Sequence, residues 1–244
     1  FIIVDALDQL DPDDGIAGLH WLPDRLPEAV YVICSVSDDP QYAEVASSPK
    51  FQKRLALGAL EIDKAGNMVS AVLKRNGRRL TEAQEKAVGR ILEKSERTPL
   101  FLSLLVRILS RIPSYSELEI DGSCSDIRTL LDRYLSFIVS GLHFDAELIR
   151  ISLGALSLVR LGIADSEMVR FAAGDGRYWE RLVRESVNSI PDIPGQERRI
   201  PFIIWSRLYD ELSFLFTEMD LDGRLVRFYH NGIRDIVPDL SLFP

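Results

Sequence analysis

At about residue 55 the hydrophobic pattern of this chain changes period, and the change divides it into two kinds of structure. Before it, FIIV (1–4) and YVICSV (31–36) are continuous β-rich runs without alternation. Such runs suit parallel strands covered on both faces better than a half-exposed sheet. The stretch between them, IAGLHWLPDRLP (16–27), is short and amphipathic, so the three pieces read as a compressed βαβ crossover. LALGALEI (55–62) reads as one more short strand. A two-strand parallel unit cannot stand alone, because its edges expose unpaired amides and its faces expose apolar side chains. Further strands are therefore expected before Phe1, and the chain is expected to be the C-terminal part of something longer.

After the change, apolar residues recur at helical spacing almost to residue 175. Thr81 to Gln84 (TEAQ) matches a capping box, which predicts a helix over about 82–95. PLFLSLLVRILSRI (99–112) follows, with Pro99 placed where a first-turn residue loses nothing by lacking an N–H. It is apolar nearly all round and is expected in the middle of a bundle. SDIRTLLDRYLSFIVSGL (125–142) and DAELIRISLGALSLVRLG (145–162) are two further amphipathic helices, the second ending at Gly162 as a C-cap. ADSEMVRFAAG, YWERLVRESVNSI and WSRLYDELSFLF read as helices, with PDIPGQERRIP as a loop. FTEMD and RLVRFYH then flank LDG, a hairpin signal. Helices followed by a two-stranded wing make a winged-helix pattern. The expected fold class is mainly α with a small parallel α/β portion: a remnant of an α/β core over 1–60, a helical bundle over 61–143 and a winged helix over 144–244.

Composition narrows the partners. The chain has 244 residues, 46% hydrophobic, with 37 acidic against 29 basic residues and a net charge of −8. This balance gives no field that favours phosphate backbones or anionic lipid, so neither nucleic acid nor membrane is an expected partner. The two cysteines, Cys34 and Cys124, are far apart in sequence, and a reducing, cytoplasmic setting is expected. No apolar run approaches membrane-spanning length, and the three histidines show no ligand spacing that would suggest zinc.

An apolar strand ending in aspartate, as FIIVD does, is a Walker B arrangement, in which the carboxylate holds the water shell of Mg²⁺ and a nearby acid orients the attacking water. Asp5 takes the metal role and Asp8 the second, because Gln9 stands where many such enzymes carry glutamate. An acidic strand end is also common for solubility alone. No stretch reads GxxxxGK[ST], so the amide cradle and lysine that hold phosphates are not in these residues.

The order of segments resembles the STAND class of P-loop NTPases, specifically NACHT-type modules of signalling and defence proteins. The resemblance rests on VDALDQL (4–10), VYVICSVSD (30–38), TPLFLSLL (98–105), SLVRLGIADSEMVRFA (157–172) and RFYHNGIRDIV (227–237). It implies that ATP or ADP with Mg²⁺ is bound in the context of the longer protein, with Asp5 and Asp8 catalytic, and that ATP is hydrolysed only there. Ser35 in the sensor strand, Pro99 near the adenine and His230 on the phosphates are implied to contact nucleotide. Homo-oligomerisation in the active state and a protein ligand are also implied. The chain departs from the pattern in having ICSVS where many relatives place a sensor arginine. Each position has a plainer reading beside this one: Pro99 as a helix start, His230 as a residue at a strand-to-helix junction. Two other classes stay open, a scaffold that keeps the NTPase shape without its chemistry, and a winged-helix DNA binder using Arg224, Arg227 and Arg234.

Overall fold

The computed structural model describes residues 1–7, 19–37, 40–113, 123–186, 190, 197–220 and 224–243, and the chain forms two compact units, Phe1–Gly58 and Ala59–Pro244. It is mainly helical, with one small parallel sheet and one small antiparallel sheet.

In the first unit β1 (Ile2–Val4) and β2 (Val32–Cys34) pair in parallel, Ile3 opposite Ile33. Side chains alternate across a strand. Val4, Val32 and Cys34 accordingly lie against a small core of Leu7, Leu19, Leu22 and Val45, the last from the short helix α1 (Ala43–Ala46). The other face does not match the expectation of two covered faces, since Ile3 is 73% and Ile33 53% exposed. The crossover also differs from its predicted form. Among the described residues between β1 and β2 there is no α-helix. Leu19 to Leu22 form a turn, closed by the Leu22 N–H on the Leu19 carbonyl and held by Lys50 Nζ, which donates to the Leu19 and Leu22 carbonyls at 3.0 and 2.6 Å. Pro23 and Pro27 remove two donors a helix would need there. Residues 8–18 lie outside the described residues. The third expected strand is absent too: residues 51–61 carry neither helix nor strand, and Leu55 and Leu57 are 81% and 89% exposed. A strand needs a neighbouring strand for its amides, and no described strand pairs with this segment.

The second unit begins with four helices: α2 (Ile62–Arg75), α3 (Glu82–Lys94), α4 (Pro99–Arg111) and α5 (Ile127–Ser140). The predicted capping box starts α3, Thr81 accepting from the Gln84 N–H while the Gln84 side chain accepts from the Thr81 N–H. Thr98 caps α4 ahead of Pro99. α4 packs against α2 and α5 and buries Phe101, Leu102, Leu104, Leu105, Val106, Ile108 and Leu109, the central position its apolar sequence predicts.

Then come α6 (Ala146–Leu158), β3 (Ile163–Ala164), α7 (Asp165–Gly174), α8 (Gly176–Glu185), α9 (Phe202–Leu212), β4 (Phe216–Asp220), β5 (Arg224–Phe228) and α10 (Asn231–Ile236). The sheet order β3-β5-β4, all antiparallel, with helices between its first two strands, is a winged-helix arrangement. The LDG turn of the hairpin and residues 191–196 of the predicted loop lie outside the described residues. Contrary to the expected C-cap at Gly162, α6 stops at Leu158. Gly162 has φ +107, and a Cβ there would stand 2.7 Å from the Val226 carbonyl oxygen, so this glycine lets the chain pass close to β5 and open the sheet. A single hydrophobic core runs from Ala65 in α2 to Leu240 after α10, so bundle and winged helix share one interior.

Candidate functional site

At the C-terminal end of β1, Asp5 is exposed and its carboxylate accepts a short hydrogen bond from the Ser35 hydroxyl, which follows β2. The parallel register makes this meeting inevitable, because Val4 lies beside Cys34 and the next residue of each strand emerges on the same edge. The Ser35 oxygen also accepts from the Ala6 N–H at 2.7 Å, and its backbone carbonyl accepts from Leu7 at 2.9 Å. Ala6 is thereby held at φ 55, a left-handed conformation that alanine adopts at a cost. Burial pushes the neighbouring Cys34 thiol up, so it stays protonated. The structure thus brings two of the predicted residues, Asp5 and Ser35, together. Asp8 lies outside the described residues. One carboxylate and one hydroxyl at a strand end are hard oxygen donors of the kind Mg²⁺ takes alongside several waters, so the residues present fit that ion.

The remaining two predicted residues, Pro99 and His230, lie in the second unit at the starts of α4 and α10. His230 caps α10: its Nδ1 accepts from the Gly232 N–H at 2.9 Å. An accepting Nδ1 is unprotonated, so in the neutral ring the proton sits on Nε2, and the exposed side of the imidazole presents a donor. A Cβ on Gly232 would lie 3.6 Å from Cδ2 of Leu100, the residue after Pro99. The start of α4, with exposed Pro99, therefore abuts the start of α10, with exposed His230. Tyr229 precedes His230 and lies edge-on to it, with the Arg107 guanidinium 4.9 Å from the centre of the Tyr229 ring. Burial raises the Tyr229 phenol, against the pull of that guanidinium.

Just before α4, Arg97 has φ 45 and gives three donors to backbone: Nε to the Leu60 carbonyl at 2.7 Å, Nη1 to those of Leu92 and Ser95 at 2.9 and 3.1 Å. It closes the end of α3 and fixes where α4 starts. Sequence reading missed it, as it missed Arg107 and Arg111 on α4. Two arginines four apart in an otherwise apolar helix were the available signal, since an arginine in a central helix has a specific carbonyl or acid to meet.

The arginines behind the DNA reading are engaged differently. Arg224 pairs with Glu218 at 2.8 Å, lies 3.9 Å from Asp165 and covers the Tyr209 ring at 4.8 Å. Arg234 pairs with its neighbour Asp235 at 3.2 Å. Arg227 is half-buried, on the central strand. Trp205 Nε1 donates to Asp165 at 2.8 Å, so α9 is tied to α7 and the wing by one polar cluster. Among the described residues no helix is long and apolar enough to cross a membrane.

A small parallel pair in one unit, and a helical bundle and winged helix in the other, each with its own candidate residues, is the class that fold and geometry define. The comparisons point the same way at a distance. The chain is 23% identical over 231 residues, 87% of its length, to NACHT and WD repeat domain-containing protein 2 of Mus musculus, and it spans 12% of that protein. It is 26% identical over 203 residues, 78% of its length, to telomerase protein component 1 of Mus musculus, spanning 8% of it. It is 29% identical over 130 residues to a TPR repeat-containing protein of Dictyostelium discoideum, covering 53% of this chain and 7% of the relative. No family model matches the sequence, and no solved structure matches it significantly.

Proposed function

We propose that this chain is the switch-bearing part of a nucleotide-regulated signalling protein of the NACHT type, in which ADP holds a closed arrangement and exchange for ATP releases it. The observation that carries the reading is the approach of the two helix starts that bear Pro99 and His230. These positions are far apart in sequence, the resemblance assigns both to one nucleotide, both are exposed at helix starts that approach each other through Leu100 and Gly232, and the His230 Nε2–H takes no part in the α10 cap. That N–H is suited to a phosphate oxygen, and the start of α4 beside it adds the positive end of its dipole. Asp5, held by Ser35, is the residue that would bind Mg²⁺; the ion would neutralise phosphate charge and polarise the terminal phosphoryl group. Asp8 is proposed to orient water, and Ser35 to report the metal's presence through its bond to Asp5. The phosphate cradle is proposed to come from polypeptide outside these residues, which would also cover the bare Ile3–Ile33 face.

A ligand that binds two arrangements unequally shifts their populations by its differential affinity alone. In the full-length protein, His230→Ala is expected to shorten ADP retention, and Asp5→Ala to weaken Mg²⁺-dependent ATP binding, each by about tenfold or more. Unchanged nucleotide retention and unchanged basal assembly in both variants would sink the assignment. A second reading, a scaffold without turnover, draws on the Ser35 bond that already occupies one Asp5 oxygen and on Gln9. ATP turnover by the full-length protein no higher than background would favour it.

A further inference from the structure

We propose that α4 is a clasp between bundle and winged helix, closed at its far end by an Arg111–Glu211–Tyr134 lock that needs no ligand. Leu100, Arg107 and Arg111 lie seven and four residues apart, so they fall on one stripe of the helix, and each meets the winged-helix part. At the N-terminal end the contact is apolar, Leu100 near Gly232. In the middle Arg107 covers Tyr229 and donates to the Phe214 carbonyl at 2.9 Å. At the C-terminal end Arg111 Nη2 donates to the Asp210 carbonyl at 2.6 Å and to Ser213 Oγ at 2.8 Å, while its Nη1 lies 3.9 Å from Glu211. The Tyr134 hydroxyl, from α5, donates to the other Glu211 oxygen, and its ring packs edge-on against Phe214 at 5.2 Å.

The chemistry explains why these groups gather there. The last turn of α9 leaves carbonyls without intrahelical donors, and that end of the helix dipole is negative. Arg111 of α4 satisfies both needs at the Asp210 carbonyl, and Arg107 meets the Phe214 carbonyl in the turn that follows. Glu211 would then be a poorly solvated carboxylate, its side chain 16% exposed, were it not met by a phenol and a guanidinium. Burial, reinforced by the Glu211 bond, holds the Tyr134 phenol far above the usual tyrosine range, so it remains a donor. The Arg111 bonds to the Asp210 carbonyl and Ser213 are directional and share one guanidinium, so a small slide of α4 breaks them together, while Tyr134 of α5 holds Glu211 in place to receive it. An apolar contact would lose strength gradually instead. This makes the far end of the seam a two-state element, while the near end, with Pro99 and His230, is the one open to a ligand. The lock stands on geometry alone; only its consequence for nucleotide control rests on the function proposed above.

Hydrogen exchange on the 244-residue chain tests it without nucleotide. Glu211→Gln, Arg111→Ala and Tyr134→Phe are each expected to speed exchange in 99–111 and 209–216 by about tenfold, with α2 and α3 unchanged. The double variant Arg111→Ala, Glu211→Gln is expected to add less than the sum of the singles, because the groups act as one unit. Seam protection that is unchanged, or that falls equally throughout Ala59–Pro244, would overturn the lock. If Arg111→Ala fails to fold, Tyr134→Phe, which keeps the ring, decides the matter in the same way. A separate arm adds ADP and Mg²⁺ to the full-length protein. No nucleotide effect on the seam there counts against the proposed function and leaves the exchange result on the lock intact.

Discussion

Arg97 sits in a left-handed conformation that costs a non-glycine residue about 1 kcal/mol or somewhat more, and three carbonyls from two segments explain why an arginine is there. The guanidinium offsets the strain by donating to Leu60, Leu92 and Ser95, which joins the start of the second unit to the end of α3. The balance gives an ordered expectation for two substitutions. Arg97→Ala loses the bonds and keeps the strain, and is expected to lower unfolding free energy by about 2–3 kcal/mol. Arg97→Gly loses the bonds but relieves the strain, so it is expected to be about 1 kcal/mol more stable than the alanine variant. Urea denaturation decides the order, and an alanine variant at least as stable as the glycine one would refute the account. Little of this was legible locally: RTPL shows a helix start after Arg97, and two of its carbonyls lie within five residues, but Leu60, 37 residues away, is brought near only by the folded chain. Asp5 is the opposite case, since the apolar run before it was enough to place it at a strand end.

The helices most legible from sequence are those whose ends are chemically marked. Thr81 with Gln84 and Thr98 with Pro99 satisfy the first amides from within a few residues, so those boundaries follow from the sequence. Boundaries set by a distant partner do not. DAELIRISLGALSLVRLG keeps its apolar spacing past Leu158, yet the helix yields there because Ile163 and Ala164 pair with Val226 and Leu225. Gly162 makes that pairing possible, and its place is testable. Gly162→Ala adds a Cβ 2.7 Å from a backbone oxygen at positive φ. It is expected to cost about 2–3 kcal/mol and to loosen β3 first. Thermal unfolding together with exchange at Ile163 and Ala164 measures both; a loss below about 0.5 kcal/mol would show that the strand can shift to accept it. The segment at 55–62 failed as a strand for a related reason, since a short apolar run cannot supply the neighbour a strand requires.

Across the second unit, one interior joins what the sequence reads as two successive modules. Leu104 and Ile108 of the bundle belong to the same cluster as Trp205 and Ile233 of the winged helix. Elements that share a core unfold together when the core is lost. Loss of helical circular dichroism and exposure of the buried Trp179 and Trp205 are therefore expected at the same urea concentration. Two resolved transitions, one for the bundle and one for the winged helix, would mean the shared interior contributes little. The sequence by itself determined the kinds of element and much of their order, because hydrophobic period and cap residues act over a few neighbouring positions. It placed an aspartate at a strand end, a proline at a helix start and a histidine at a strand-to-helix junction. Only the tertiary structure decided that the starts of α4 and α10 approach each other, and that two arginines of α4 hold the end of α9 and the turn after it. Those meetings depend on how helices stack and cross, a property of side-chain packing among distant segments that no local pattern encodes.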